Sequence, residues 1–517
     1  MFSPRTGSVQ ENPAPQATAQ AHPGRQQPTC VVMAEAPELL SGDLLSGGQE
    51  YRVHLSHDGL RWQLTNQKKE PAEVSLPWSD IYGLGSDGLG ETTQVNGEGK
   101  SFTIHFISRR KDKKWRAAEK KFDVKEGDVS AWVVQIQAKY RPATPKSLLV
   151  IVNPIGGKGQ GRQIYEKKVA GLFKTAEINT HVILTERARH AEEIINNFDF
   201  SDVEGIVTVG GDGMYQEALN TLIQRNQKEA GIDVNNPESV LKPLDIKFGI
   251  IPAGTGNGVA NWACGVNDVE TAALHVIRGE VNNFNIFGIY EPGKLVCFSG
   301  LLFAYGFYSD MVKKTDEKRW MKTFRYPYVL LTSMLGKRRV YEADIQVLEA
   351  PSLENNAQDK RGAESEGAAA SPTELGWRRL ETREYMDVLM FVCDLNTAGE
   401  QLVMDPSSQT ITVLLSKHCG RISHLKVFLG AMTGKKESLQ APQLTVLKNV
   451  TAFKIKVKVC DENSSKSEKQ KELEHLLDVD GEVYRAETMD LEIRLQSQFV
   501  PMFSSPVEVP CVPTTEI

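Results

Sequence analysis

The sequence predicts a multidomain protein in which a parallel α/β unit sits between two β-rich units. Three observations carry that reading. Between residues 147 and 264, short apolar strands alternate with helices four times, the pattern of right-handed βαβ units and a parallel sheet. Three of those four strands run straight into glycine-rich turns. Upstream, residues 49–140 read as short alternating strands closed by one helix, and downstream residues 284–483 read mainly as strands.

The expected layout is a disordered, Pro-, Gln- and Ala-rich segment over 1–40 and a first domain over 41–142. An α/β domain follows over 143–283, completed by 484–505, then a β-rich domain over 284–483 and a tail over 506–517. Composition bounds the function. Charged residues make up 24% and hydrophobic ones 40%, the balance of a soluble globular protein. A net charge of −6 argues against a nucleic-acid partner, which favours a basic surface. The seven cysteines are scattered without a CxxC pair, which argues for free thiols in a reducing compartment and against zinc. No apolar run approaches the roughly 18 residues of a membrane span. The opening residues lack the apolar core of a secretory signal, and Phe2 stands where N-myristoylation requires glycine. A cytoplasmic protein with peripheral membrane contact is expected.

Within the first domain, 51–55, 60–64, 74–76 and 101–107 alternate as strands. A helix over 129–140 carries Trp132, Val133 and Ile136 on one face. Short strands followed by a Trp-bearing helix resemble a pleckstrin-homology domain. The basic stretch Arg109–Arg116, with Trp115 inside it, reads as a loop suited to anionic lipid headgroups, at about 1 kcal/mol per cation near the surface. A solvated charged loop is the alternative. Gly83–Gly88 matches GxGxxG, but no helix follows, so a loop is expected there too.

The first glycine turn, Asn153-Pro-Ile-Gly156-Gly157-Lys158-Gly159, follows the strand 147–152 and precedes a helix from Arg162. Backbone amides and a helix start facing an anion, with Lys158 as a point charge, make a phosphate cradle. It is not a Walker A loop, because Arg162-Gln163 stands where Lys-Ser/Thr would be. A second unit has a strand over 181–184, then Thr185, and a helix over 188–198. The third strand, Gly205–Val209, ends in Gly210-Gly211-Asp212-Gly213, and the helix from Met214 follows. The fourth, 247–251, runs into Gly254-Thr255-Gly256-Asn257-Gly258. Ligands of open α/β sheets bind outside the carboxyl ends of the strands. Three such turns on one sheet edge point to a polyphosphate pocket with one carboxylate, Asp212, in it. Taken alone, Asp212 could equally be a helix N-cap.

NPIGGKGQG, VGGDGMYQE and IPAGTGNG, in this order, resemble the diacylglycerol-kinase catalytic domain family, whose members phosphorylate diacylglycerol, sphingosine and ceramide. The resemblance covers about 145–500. It implies a two-domain lipid kinase with a β-sandwich-like second domain, using ATP and Mg²⁺. It implies that Asp212 is the catalytic carboxylate, either accepting the proton of the lipid hydroxyl or holding Mg²⁺ through water, with no direct metal ligand assigned. Nucleotide contacts are implied for Asn153, Gly156, Gly157, Lys158, Thr185, Gly210, Gly211, Gly213, Glu217, Gly254, Thr255, Gly256 and Asn257. Arg319 and Arg325 match arginines that reach the phosphates, and Asp480-Gly481-Glu482 matches a late DGE motif beside the nucleotide.

For the acceptor, Tyr305, Phe307 and neighbouring apolar residues could line an acyl pocket or simply be core. Asp310 follows them, and Val312 stands where sphingosine kinases carry an acid that pairs with an amine. A buried cationic amine needs a carboxylate, so an uncharged lipid, ceramide, is the expected substrate, with diacylglycerol also open. The Ala- and Glu-rich stretch near 354–382 lacks the cysteine cluster usual in ceramide-directed members. That branch also implies calcium–calmodulin binding, for which Arg421–Lys436 is the candidate, with a packed helix as the alternative.

Overall fold

The computed structural model describes residues 39–65, 73–86, 100–125, 128–140, 143–157, 159–336, 338–350, 376–381, 383–398, 401–405, 408–432, 436–458, 468–505 and 509–510. The first unit is an antiparallel sheet of seven strands: β1 (Leu40–Ser46), β2 (Gln49–Leu55), β3 (Gly59–Leu64), β4 (Val74–Pro77), β5 (Ile81–Ser86), β6 (Ser101–Arg109) and β7 (Trp115–Val124). Their order is β4-β3-β2-β1-β7-β6-β5. Helix α1 (Val129–Gln137) follows, capped by the Asp128 carboxylate, which accepts from the Ser130 N–H. Such a cap is worth about 1 kcal/mol. Trp132, Val133 and Ile136 pack against Val53, Leu60, Trp62, Phe102 and Phe122 in one core.

Two expectations are corrected here. The expected loop at Gly83 is part of strand β5, where Gly83 pairs with His105 and Ser86 with Phe102. Glycine is needed for close approach, since a Cβ on Gly83 would lie 2.9 Å from the Thr175 carbonyl oxygen. The rest of that match, 87 and 88, lies outside the described residues. The expected lipid-facing loop at 109–116 is also shorter, because Trp115 opens β7 and is buried. Its ring stacks on His275 at 3.9 Å, and its backbone N–H donates to Thr271 Oγ1 at 3.0 Å. Arg116 donates to Asp268 Oδ1 at 2.6 Å, and Arg109 pairs with Asp80. The aromatic and two of the cations therefore fasten this unit within itself and to the next one, while Lys111 and Lys113 stay exposed.

The α/β unit runs β8 (Ser147–Val152), α2 (Gly161–Ile164), a π-helical turn Tyr165–Val169, α3 (Ala170–Thr175), β9 (Asn179–Leu184), α4 (His190–Asn197), β10 (Gly205–Gly210), α5 (Asp212–Glu229), β11 (Lys247–Pro252), α6 (Gly258–Cys264) and α7 (Val269–Arg278). The four strands are parallel, in the order β9-β8-β10-β11. Strand β10 is buried along its whole length, which explains its unbroken apolar and β-branched run. Strand order reverses at β8, so the crevice opens at the carboxyl ends of β8 and β10.

The remaining strands are β12 (Val281–Glu291), β13 (Lys294–Ser299), β14 (Leu302–Gly306), β15 (Tyr341–Glu349), β16 (Trp377–Arg379), β17 (Arg383–Phe391), β18 (Asp394–Ala398), β19 (Gln401–Asp405), β20 (Ile411–Lys417), β21 (Leu444–Val457), β22 (Leu476–Val479), β23 (Glu482–Arg485), β24 (Asp490–Phe503) and β25 (Val509–Pro510). Helices α8 (Phe307–Asp316), α9 (Arg325–Leu335), α10 (Arg421–Met432) and α11 (Glu468–Glu474) lie among them. Strand β24 is 14 residues long and belongs to both halves. It runs antiparallel to β12 and β21, and Met502 pairs in parallel with Phe248 of β11. One sheet thus continues from β23 to β9.

Candidate active site

The three glycine turns meet at the crevice. A Cβ on Gly254 would overlap Gly211 Cα, and one on Gly211 would lie 2.9 Å from Gly256 O. Gly157, at φ +63°, would place a Cβ 2.7 Å from Ala253 O. Backbone therefore packs on backbone, and only glycine permits that spacing. Side chains shape the turns. Asn153 Oδ1 accepts from the Ile155 N–H at 3.0 Å and the Gly156 N–H at 2.8 Å, folding the first turn. Asn257 closes the third, accepting from Gly254 N–H at 3.0 Å and donating to Gly254 O at 3.2 Å. Thr255 and Gly256 are left exposed at its tip. Thr185, buried at the end of β9, donates its N–H to Val152 O at 2.8 Å, which ties the second unit to the root of the first turn. Glu217 accepts from the Glu192 N–H at 3.2 Å and so supports the start of α4. Lys158 lies outside the described residues.

Asp212 sits where these turns converge. It begins α5, yet its carboxylate reaches across to the start of α6: Oδ2 accepts from Gly258 N–H at 2.9 Å and Oδ1 from Val259 N–H at 3.0 Å. The capping role and the pocket role of this residue therefore coincide, with the capped helix being α6. Burial lifts its pKa to about 6, the two amides pull the other way, and Asp480 adds to the rise. A carboxylate so poised is ionised near neutral pH and still basic enough to take a proton.

The DGE motif lies against this turn. Gly481 lets the β22–β23 hairpin turn at φ +85°, and Glu482 Oε1 comes so close to Gly213 that a Cβ there would collide with it. Asp480 is buried. It accepts from Ser299 Oγ at 2.7 Å, Leu302 N–H at 2.8 Å, Leu301 N–H at 3.2 Å and Gly300 N–H at 3.3 Å. Its carboxylate thus clasps the loop between β13 and β14 and positions the hairpin. Asp478, which the sequence reading did not single out, is fully buried, and neither of its carboxyl oxygens has a well-formed hydrogen bond. Burial, with Asp480 and Glu482 nearby, pushes it well above the carboxylate range. The signal was present: in Leu476-Leu-Asp478-Val-Asp480, a two-residue period puts both acids on one face.

With that geometry in view, the region can be compared with known proteins. Residues 147–289 match the diacylglycerol kinase catalytic domain. Human ceramide kinase is 35% identical over 321 residues, covering 56% of this chain and 60% of that protein. The mouse ceramide kinase is 39% identical over 264 residues, covering 50% of each. The chain thus spans half to three-fifths of the length of these curated relatives. A putative diacylglycerol kinase from Bacillus anthracis str. Sterne superposes on 71% of this chain, covering 97% of its own, at 17% identity and a TM-score of 0.48, too slight a likeness to carry weight.

Outside the kinase-domain match, the expected acceptor residues fall in the core. Tyr305 on β14 is fully buried, donates its hydroxyl to Glu474 O at 3.0 Å, and packs on Tyr341. Phe307 packs against His424 and Phe428. Asp310 is buried and accepts from Arg339 at 2.9 Å. Burial raises its pKa to about 6 against the pull of Arg339. All three thus hold α8 and β14 in place. Arg325 Nη2 donates to the Tyr326 hydroxyl at 2.8 Å, and the guanidinium lies over that ring. Arg319 opens the 3-10 turn Arg319–Phe324; its side chain lies outside the described residues. Helix α10 buries His424, Val427 and Phe428, and His424 Nε2 meets Asp387 Oδ2 at 2.8 Å. That packing favours the structural alternative for Arg421–Lys436. Among the described residues no His, Cys, Asp or Glu cluster is arranged to hold a metal.

Proposed function

We propose that the protein is an ATP-dependent lipid kinase that phosphorylates the primary hydroxyl of ceramide to ceramide 1-phosphate. The observation that carries this reading is the contact of three glycine turns around Asp212 at the switch point of a parallel sheet. The ceramide assignment rests on the human and mouse ceramide kinases among its relatives. The first unit is read as a pleckstrin-homology-like module and the remainder as the two halves of the kinase. Ceramide and anionic membrane lipids are the partners proposed.

The residues fit a nucleotide. The turns come together so closely that any Cβ on Gly157, Gly211 or Gly254 would fill the cradle, and backbone amides suit phosphate oxygens. Bound ATP supplies the phosphoryl group, with Mg²⁺ as counter-charge on its phosphates. Lys158, Arg319 and Arg325 would add positive charge there. Asp212, aimed by the Gly258 and Val259 amides, would accept the proton of the lipid hydroxyl as the new P–O bond forms and the γ-phosphoryl bond to the departing ADP breaks. Asp480 keeps the β22–β23 hairpin, and with it Glu482, over Gly213. Positioning and charge neutralisation are what phosphoryl transfer needs most.

The test is transfer of radiolabelled phosphate from ATP to ceramide, diacylglycerol and sphingosine side by side in mixed micelles with Mg²⁺. Label on ceramide above the other two is expected. Label mainly on another lipid overturns the substrate, and label on none overturns the kinase reading.

A further inference from the structure

The helices that follow β14 carry an exposed apolar stripe. Trp320 is 80% exposed, Phe324 76%, Leu331 60% and Leu335 69%, with Tyr328 between them also exposed. Within α9, Tyr328, Leu331 and Leu335 are spaced by three and four residues and share one helical face, while Trp320 and Phe324 are exposed on the 3-10 turn that leads into it. The opposite face of α9 is satisfied: Val329 and Met334 are buried, and Met334 joins Phe307 and Phe428 in a small core. Helix α10 lies alongside, joined by an Arg421 hydrogen bond to Gly336 O at 3.3 Å, and it adds exposed Ile422 and Leu429. Large apolar side chains gathered on one surface mark an interaction site rather than chance exposure.

Charge identifies the occupant. From Lys318 to Lys337 there are five Lys and Arg and no acid, in a chain whose net charge is −6. Residues 419–436 add four more cations and again no acid. Apolar residues with Trp and Tyr among them, set in cations, are the composition of a helix that lies in a lipid–water interface. Two copies of such a face would repel each other. Among the described residues no helix is long and apolar enough to cross a membrane, which suits contact in the plane of the surface. Helix α8, against which α9 packs, is tied in turn to the strand leading into the DGE hairpin, since Ser309 donates to Leu476 O at 3.2 Å. The expected basic loop, in contrast, has Trp115 and Arg116 committed to the α/β unit.

We propose that the 320–335 stripe, with Ile422 and Leu429, docks the protein onto the surface of an anionic bilayer, so that the lipid acceptor is taken from the membrane. The second clause rests on the lipid-kinase reading; the docking itself does not.

The test is co-sedimentation of the full chain with phosphatidylcholine–phosphatidylserine vesicles that contain no ceramide, without ATP. Wild type should bind, and Phe324→Ser/Leu331→Glu should bind at least tenfold more weakly. The same variant should keep wild-type turnover on a short-chain acceptor dissolved as monomers. Trp320→Phe, which conserves the fold, should remove the part of the tryptophan emission that brominated lipid quenches. Equal vesicle binding by wild type and the double variant overturns the proposal, as does quenching unchanged in Trp320→Phe. Loss of dimerisation in the double variant with vesicle binding intact would assign the stripe to a second copy and overturn it too. Vesicle binding without phosphorylation of any lipid would leave docking standing and reject the kinase reading.

Discussion

Replacing Gly254 with alanine adds one methyl group at the point where two turns touch. Its Cβ would overlap Gly211 Cα and lie 2.9 Å from Gly211 N and 3.0 Å from Gly256 O. All three are backbone atoms, so no side chain can swing aside. Carbon atoms prefer separations of about 3.5–4.0 Å, so the second and third turns must part by roughly 1 Å or more. Forced overpacking costs about 1–3 kcal/mol, and a misplacement of about 1 Å at a reacting centre costs on the order of 100-fold in rate. Gly254→Ala is therefore expected to lower kcat/KM for ATP by about 100-fold, with a Tm drop of only a few degrees. Gly171→Ala in α3 is the control, because nothing lies within 4 Å of its Cβ. It should be neutral or stabilising, by up to about 1 kcal/mol. Steady-state kinetics and calorimetry on both variants read the effect. Wild-type kcat/KM in Gly254→Ala would refute the contact between turns.

Asp478→Asn is expected to raise Tm at pH 7.5 and leave it unchanged at pH 4. The folded pKa is raised, so the unfolded chain gives up this proton first, near pH 3.9, and the group costs stability as pH climbs above that value. A lower Tm at pH 7.5 in calorimetry would mean the carboxylate has a partner. Asp310→Asn leaves Arg339 without its buried partner, which should cost about 3–5 kcal/mol in denaturant titration while KM for the lipid stays within twofold; a large KM change at wild-type stability would return Asp310 to the substrate site. Arg116→Ala removes the bidentate contact to Asp268, at 2.6 and 3.2 Å. Limited proteolysis near 138–146 should then speed up several-fold, and unchanged cleavage would show that the Trp115–His275 stack suffices alone.

The parallel sheet was legible because β8, β10 and β11 are buried and so read as unbroken apolar runs, each followed by glycines, whereas β9 is largely exposed and leads into Thr185. The gathering of the three turns was legible too, because parallel strands must all end on one edge. What side chains do inside the turns was not. Asn153 and Asp480 match nucleotide-site positions by motif, but their carboxyl and amide oxygens fold the backbone, a choice made by donors far away in sequence. Trp115 looked like a membrane anchor because its partner, His275, is 160 residues distant. Asp310, Tyr305 and Phe307 looked available because a local stretch cannot reveal Arg339, Glu474 or Phe428 closing over them. Strand β24, in the stretch 484–505 assigned to the α/β domain, pairs with β11 there and also with β12 and β21.

Asp212 as the proton acceptor at the meeting point of the turns is the central claim. The direct measurement is the pH dependence of kcat/KM for the lipid acceptor from pH 5 to 8.5, in wild type and Asp212→Asn. Because the base must be ionised and burial holds its pKa at about 6, activity should rise with pH through a midpoint near 6. Asp212→Asn should lose at least about 100-fold, the usual scale for a general base, and lose the rising limb with it. A flat wild-type profile, or an asparagine variant that keeps both rate and pH dependence, would contradict the account.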